Sequence, residues 1–196
     1  MTPLSRLIAR LPADIAEALD PRGSPAEVWE RSEDAVHLLW LALAAGVERR
    51  LVVGCARSIA ERALAAARPA DMRPARALKV ADAWLRGAAS GSEAWAAGFA
   101  AMQAADASAE PEKAPAIRAV ASVAFACDDL ADDAYYALTG YCARAAEHAS
   151  EHVAPAEAAA CVRARVPSAL FEACVERASR PPLLAPELEP LDGFYT

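Results

Sequence analysis

Apolar residues recur along this chain three and four positions apart, the period of an α-helix with one buried face. The clearest apolar stripe runs from Ala77 to Ala88, and charged residues occupy the opposite face of that segment. No segment shows the alternation of apolar and polar residues that marks a half-buried β-strand. The pattern therefore predicts an all-α protein.

Proline, glycine and capping residues mark where the helices begin and end. Thr2-Pro3 and Leu11-Pro12 predict two short helices, because proline fits the first turn. In two places a serine is followed three positions later by a glutamate, the arrangement of a capping box. The first box, at 24–27, predicts one helix to about residue 45 with Gly46 as its stop. The second, at 90–93, predicts a helix to about residue 107.

The remaining boundaries follow the same rules. Helices are expected over about 48–68 and 74–86, and after Pro155 and Pro167. Between 116 and 153 we expect two helices that meet near 127–129, although one long helix also fits the pattern.

These elements predict one domain, residues 1–180, built as an antiparallel helical bundle or a short α-solenoid of about eight helices. Residues 181–196, PPLLAPELEPLDGFYT, hold too many prolines for a helix and predict an extended C-terminal arm. Its leucines and aromatic residues indicate that the arm packs on the domain.

Composition narrows the possible functions. More than a quarter of the chain is alanine, the strongest helix former. The net charge of −7 argues against nucleic-acid binding, which needs a basic face, and fits a basic protein partner. We expect a cytoplasmic protein without a membrane segment, because no apolar stretch is long enough and the N-terminus lacks signal-peptide features. The five cysteines form no CxxC pair and predict buried, reduced thiols, and the four tryptophans predict core anchors.

Two short motifs could hold a metal ion. His148 and His152 stand four positions apart around Glu151, as in inverted zinc peptidases, and on one helix they would share a face. The DDLADD segment at 128–133 has the carboxylate spacing with which isoprenoid synthases hold Mg²⁺. Neither motif has the further ligands or the scaffold size that such enzymes need. We therefore expect no catalytic residue, no metal and no cofactor, with a metal-dependent enzyme as the remote alternative.

The aspartates of the DDLADD segment have two other interpretations. They can form the acidic first turn of a helix, where the helix dipole offsets their mutual repulsion. They can also form a patch that binds a basic partner, together with the interface-prone aromatic residue beside them. The predicted partner-binding residues are Asp128, Asp129, Asp132, Asp133 and Tyr136.

Three segments together resemble the Imm5-like family of bacterial immunity proteins. They are LLWLALAAGVERRLVVGCARSIAERAL from residue 38, the element from Arg73-Pro74 to Trp84, and AIRAVASVAFACDDLADDAYYAL from residue 116. The resemblance implies an alanine-rich helical protein whose family-motif residues, Asp71, Arg73, Pro74 and Trp84, serve the architecture.

In function, the resemblance implies a non-catalytic protein that binds and neutralises a cognate bacterial toxin inside the cell that produces it. A helical scaffolding subunit, which oligomerises through its alanine-rich faces or its arm, is the alternative from a different class of protein.

Overall fold

The structure of the protein is a computed structural model that describes residues 2–128 and 135–179, and of residues 135–139 only the backbone. This part of the chain forms eleven α-helices, one 3₁₀ turn at Pro111–Lys113 and no strand, which confirms the all-α prediction. The first six helices are α1 (Pro3–Ile8), α2 (Ala13–Ala18), α3 (Pro25–Arg31), α4 (Ala35–Ala44), α5 (Arg49–Ala67) and α6 (Arg73–Leu85). The other five are α7 (Gly91–Asp106), α8 (Ala114–Phe125), α9 (Tyr135–Ala149), α10 (Pro155–Arg165) and α11 (Ser168–Ser179). The predicted arm, residues 181–196, lies outside the described residues.

Helix α8 is the centre of the bundle. It packs against α5, α6, α7 and α9, and only Pro115 and Arg118 among its residues are more than slightly exposed. Four of its alanines have no exposed surface at all: Ala116, Ala119, Ala121 and Ala124. Their small side chains let four helices surround one axis at short distances, and burying apolar surface on every side of α8 stabilises the fold.

The N-terminal helices pack on the other end of the molecule. Helix α11 lies against α3 and α1, and the rings of Trp29 and Phe171 stack there with centroids 4.4 Å apart. Both rings are fully buried. This buried aromatic pair joins α3 to α11, the last described helix of the chain.

The prediction of one helix from about 25 to 45 is wrong, because the chain turns between α3 and α4. Asp34 begins the second helix, with its Oδ1 accepting a hydrogen bond from the Val36 N–H at 2.7 Å. Arg163 of α10 ends the first helix, since its guanidinium donates to the carbonyls of Glu30, at 3.0 Å, and Ser32. The Arg163 side chain thus donates to backbone carbonyls that would accept hydrogen bonds from the next turn if the helix continued. The sequence between residues 25 and 45 could not show this, because Arg163 is more than a hundred positions away.

Most other predicted boundaries agree with the structure. Both capping boxes form, at Ser24 with Glu27 and at Ser90 with Glu93. Gly46 and Gly87 follow α4 and α6 with φ of +74° and +73°, the left-handed conformation that glycine adopts most easily. Helix α8 ends at Phe125, which supports two helices in place of one long helix. The eleven helices exceed the expected number of about eight, partly because of the α3–α4 turn.

The five cysteines lie as predicted and the tryptophans only in part. All five cysteines are buried and none forms a disulfide bond, and burial raises the pKa of Cys55 to about 12. Trp29 and Trp84 are core residues, and Trp40 is partly buried. Trp95 is 38% exposed, so its assignment to the core is wrong. No helix in the described part of the chain combines the length and apolar character needed to cross a bilayer.

Asp71 and Arg73 form an ion pair at the start of α6. The Arg73 Nη2 donates to Asp71 Oδ2 at 2.6 Å, and the Arg73 backbone N–H donates to Asp71 Oδ1 at 2.8 Å. These hydrogen bonds, with the positive charge of the guanidinium, lower the pKa of the Asp71 carboxyl below its ordinary value. Pro74 is buried in the first turn of the helix. The pair therefore fixes where the loop after α5 becomes α6.

We predict that Gly98→Ala destabilises the protein by about 1–3 kcal/mol. A Cβ at Gly98 would lie 2.9 Å from the Phe125 ring and 3.0 Å from the Ala124 Cβ, so α7 would have to move away from α8. Urea unfolding followed by circular dichroism measures the change.

The matched control is Gly140→Ala in α9, where a new Cβ would meet no atom within 4 Å in the part of the chain that is described. Alanine's better helix propensity should make this variant more stable by about 0.5–1 kcal/mol. Equal effects of the two substitutions would contradict the close contact of α7 with α8.

We also predict that Asp71→Asn lowers the melting temperature at pH 6 and has a smaller effect at pH 3. The folded-state pKa of Asp71 is lowered, so the ionised carboxylate stabilises the fold above its ordinary pKa, and this contribution is lost as pH falls through the folded-state pKa. Asparagine can still accept the Arg73 N–H, so the substitution removes mainly the charge. A difference in melting temperature that is the same at both pH values would show that the ion pair does not contribute.

Candidate partner-binding surface

The structure describes one of the four predicted partner-binding aspartates. Asp128 follows α8 and is partly exposed. Asp129, Asp132 and Asp133 lie outside the described residues, and so does the side chain of Tyr136, whose backbone is in α9. The two interpretations of this acidic segment therefore both stay predictions.

Arg49 positions the start of the acidic segment. Its guanidinium donates to the backbone carbonyl of Ala126, at 2.9 Å, and to that of Asp128. The backbone N–H of Asp128 donates to the carbonyl of Phe125 at 3.2 Å. A positive charge at these carbonyls is favourable, because the C-terminal end of a helix carries partial negative charge. The chain leaving α8 is thus held in a defined direction.

Trp84, one of the residues that carry the family resemblance, lies under this arginine. The Arg49 guanidinium carbon is 5.3 Å from the centroid of the Trp84 ring, and that of Arg50 is 5.6 Å away. Cations over an indole face are attracted by its π electrons, most strongly where water is partly excluded. Trp84 therefore does more than fill the core, since it supports the arginine that holds Asp128. The sequence identified the tryptophan, whereas Arg49 has no local pattern that marks it.

Four aromatic rings lie on α7, at the end of α8 and on α9, and we call them the aromatic patch: Trp95, Phe99, Phe125 and Tyr141. The Trp95 ring centroid is 4.6 Å from that of Phe125 and 6.3 Å from that of Tyr141. Phe99 lies one helical turn after Trp95 on α7. Phe125 is only three residues before Asp128, so one ring of the patch is close in the sequence to the start of the acidic segment.

The outer part of the aromatic patch faces solvent. Phe99 is 56% exposed and Trp95 is 38% exposed, and α7 has no charged residue between Glu93 and Asp106. An exposed tryptophan and phenylalanine on an uncharged helix face are unusual, because most large apolar side chains that serve only the fold are buried. The helical period showed that these two residues share a side of α7. It could not show that this side points outward, because α6 and α8 occupy the buried sides.

The histidine motif does not form the predicted arrangement. Helix α9 ends at Ala149, so Glu151 and His152 lie beyond it, and the expectation that both imidazoles share a helix face is wrong. Across residues 2–128 and 135–179, no three side chains of histidine, cysteine, aspartate or glutamate are grouped in a way that could hold a metal ion.

Comparison with known proteins gives one match. No curated protein and no solved structure matches the sequence. Residues 45–165 match the model of the family described as "Imm-5 like putative immunity protein". This range covers helices α5 to α10, the Asp71–Arg73 pair, Trp84, Arg49 and the whole aromatic patch. The family model spans more than half of the chain, and the protein therefore belongs to the Imm-5 like immunity protein family.

Proposed function

We propose that this protein is a non-catalytic immunity protein that binds a bacterial toxin in the cytoplasm of the producing cell and blocks its activity. Membership of the family supports the general role. The proposed contact surface is the aromatic patch together with the aspartates at 128–133. Its action would be to cover a surface of the toxin, without making or breaking bonds.

The observation that carries this proposal is the exposure of Phe99 and Trp95 on α7. The centres of protein interfaces are enriched in aromatic residues and poor in charge, which describes the stretch between Glu93 and Asp106. The Trp95 ring rests on Phe125 and Tyr141, so it is held in place before a partner arrives. Rigid anchors of this kind lose little entropy on binding.

The charges beside the aromatic patch support a basic partner. Four aspartates follow Phe125 within eight positions, in a chain whose net charge is −7. Opposite charges on two proteins speed their encounter and disfavour wrong partners. A cationic toxin, such as one that acts on nucleic acid, would have the positively charged surface that complements these aspartates.

The exposed face of α7 also fits the second candidate, a scaffolding subunit that associates with copies of itself. The two functions differ in oligomeric state. Light scattering of the full chain at micromolar concentration should show a monomer if the face is reserved for a toxin. A stable oligomer that Phe99→Ser dissociates would favour the scaffold.

We predict that Phe99→Ser weakens binding to the toxin encoded beside this gene by about thirtyfold, or about 2 kcal/mol, the effect expected for an aromatic residue near the centre of an interface. Because Phe99 is largely exposed, the melting temperature of the Phe99→Ser variant should stay close to that of the unchanged protein. Isothermal titration calorimetry measures the affinity. Gln103→Ser, one turn further along α7, is the matched control and should bind normally. If both variants bind like the unchanged protein, the aromatic patch is not the contact.

We predict that replacing Asp128, Asp129, Asp132 and Asp133 together by asparagine slows association with the same toxin at low ionic strength. The difference should shrink as salt rises to about 0.5 M, because salt screens exposed charges. Stopped-flow fluorescence measures the association rate.

The control for this variant removes the same number of charges elsewhere. It neutralises four exposed acidic residues on other helices and loops: Asp14, Glu17, Glu33 and Glu176. A local effect slows association only in the first variant. Equal slowing in both would mean that the overall charge acts and that the aspartates at 128–133 have no special role.

A further inference from the structure

A second surface, separate from the aromatic patch, lies between α5 and α6. It is a groove of about 440 Å³ with an apolar floor. Leu78 is buried there, Leu64 and Ala75 are partly buried, and Met72 at the edge is 59% exposed. Met72 is the most exposed large apolar side chain among the described residues. An unbranched, flexible side chain at the edge of an apolar groove can adapt its shape to a bound group.

One end of the groove is closed by an arginine whose charge is already satisfied. The Arg57 guanidinium donates to Glu61 Oε2 at 2.6 Å and to Asp82 Oδ2 at 2.9 Å, which joins α5 to α6. Asp71, at the other end, is paired with Arg73. The charged side chains of Arg57, Glu61, Asp71 and Asp82, which line the groove, therefore have partners within the protein.

Two cations on the rim have none. The side chains of Arg68 and Lys79 line the groove and are exposed, and neither makes a hydrogen bond or ion pair with the described residues. The groove thus presents two free positive charges above an apolar floor, in a protein with a net charge of −7. This charge pattern is the opposite of the acidic segment that follows α8.

The backbone at Arg68 has an unusual conformation for a residue with a side chain. Arg68 ends α5 with φ of +48° and ψ of +57°, and it is the one non-glycine residue with positive φ in the described part of the chain. Helices α4 and α6 are followed by glycine in the same conformation, at Gly46 and Gly87. A side chain in this left-handed region costs about 1 kcal/mol relative to glycine. The Arg68 backbone is held within the fold, since its N–H donates to the Leu64 carbonyl at 3.0 Å and Lys113 Nζ donates to its carbonyl at 3.5 Å, and the side chain is left exposed at the rim of the groove.

We propose that the groove between α5 and α6 binds a segment of another protein in which a leucine-sized apolar side chain is flanked by carboxylates. The apolar side chain would lie on Leu64, Ala75 and Leu78, beside Met72. The carboxylates would pair with Arg68 and Lys79. This proposal is independent of the aromatic patch and of the toxin, because it concerns a different surface with the opposite charge preference.

The chain's own C-terminal residues have a similar composition, with leucines among three acidic residues. The described chain ends at Ser179 of α11, which packs against α1 and α3, whereas α6 packs against α5, α7 and α8. The positive charges of Arg68 and Lys79 support a separate protein with an acidic, leucine-containing segment, and the third variant below tests the chain's own segment as the alternative occupant.

The first test uses the full-length, ¹⁵N-labelled protein and capped hexapeptides in low salt. The first peptide has two central leucines flanked by glutamates. The second has lysines in place of the glutamates, and the third has serines in place of the leucines. We expect saturable changes in amide NMR signals within residues 61–82 for the first peptide only. Equal binding of the lysine peptide, or changes confined to other helices, would overturn the proposal.

The second test is Arg68→Gly. Glycine suits the left-handed conformation, so the melting temperature should be equal or higher, while the dissociation constant of the glutamate–leucine peptide should rise about threefold, as for one exposed ion pair. Adding Lys79→Gln should bring the rise to about tenfold. Arg68→Lys, which keeps the charge, should bind nearly as well as the unchanged protein. Unchanged peptide affinity in Arg68→Gly would overturn the role of Arg68.

A third variant separates an external partner from the chain's own arm. In it, Glu187, Glu189 and Asp192 are replaced by serine in the full chain. If the arm occupied the groove, this variant would bind the glutamate–leucine peptide more tightly, which would overturn the proposal of a separate protein. Unchanged affinity supports it.

Discussion

The close approach of helices around α8 is the constraint on which the rest of the structure depends. Four helices surround α8, and this is possible because the facing side chains are mainly alanine, with glycine at position 98. Where α7 meets α8 at Gly98, the ring of Phe125 fills the space that a side chain would take. The same ring then contacts Trp95 and Tyr141 at the edge of the bundle. Tight packing inside the protein therefore produces a supported group of aromatic rings outside it.

Alanine-rich helix faces are smooth, so packing alone does not select one arrangement of helices strongly. Arginines supply much of that selection here. Arg163 of α10 donates to carbonyls at the end of α3, Arg49 of α5 to carbonyls at the end of α8, and Arg57 joins α5 to Asp82 of α6. Each guanidinium needs several acceptors in a fixed geometry, which an altered helix register would not provide. Small residues thus set the distances between helices, and arginines set their relative positions.

The sequence was sufficient for the fold class and for most helix boundaries, because these depend on neighbouring residues. Ser24 with Glu27, Ser90 with Glu93, and the glycines at 46 and 87 act over a few positions, so their patterns are readable. The turn between α3 and α4 was missed because Arg163, more than a hundred positions away, completes it.

The candidate surfaces were harder to predict for the same reason. Trp95 and Phe99 look like core residues in an amphipathic pattern, and only the placement of α6 and α8 leaves them outside. Arg49 and Arg68 are ordinary arginines in the sequence. The role of Arg49 comes from carbonyls at the end of another helix, and the role proposed for Arg68 comes from its exposed place beside the groove. The family residues Asp71, Pro74 and Trp84 were recognised because they belong to a motif.

The buried thiols have a practical consequence. Cys55, Cys142, Cys161 and Cys174 lie in α5, α9, α10 and α11, and Cys127 directly follows α8. A thiol that is shielded from water reacts with alkylating reagents only when its surroundings open. The alkylation rate of each cysteine therefore reports how often the structure around it opens. Comparing the five rates would separate local opening of the bundle from its complete unfolding.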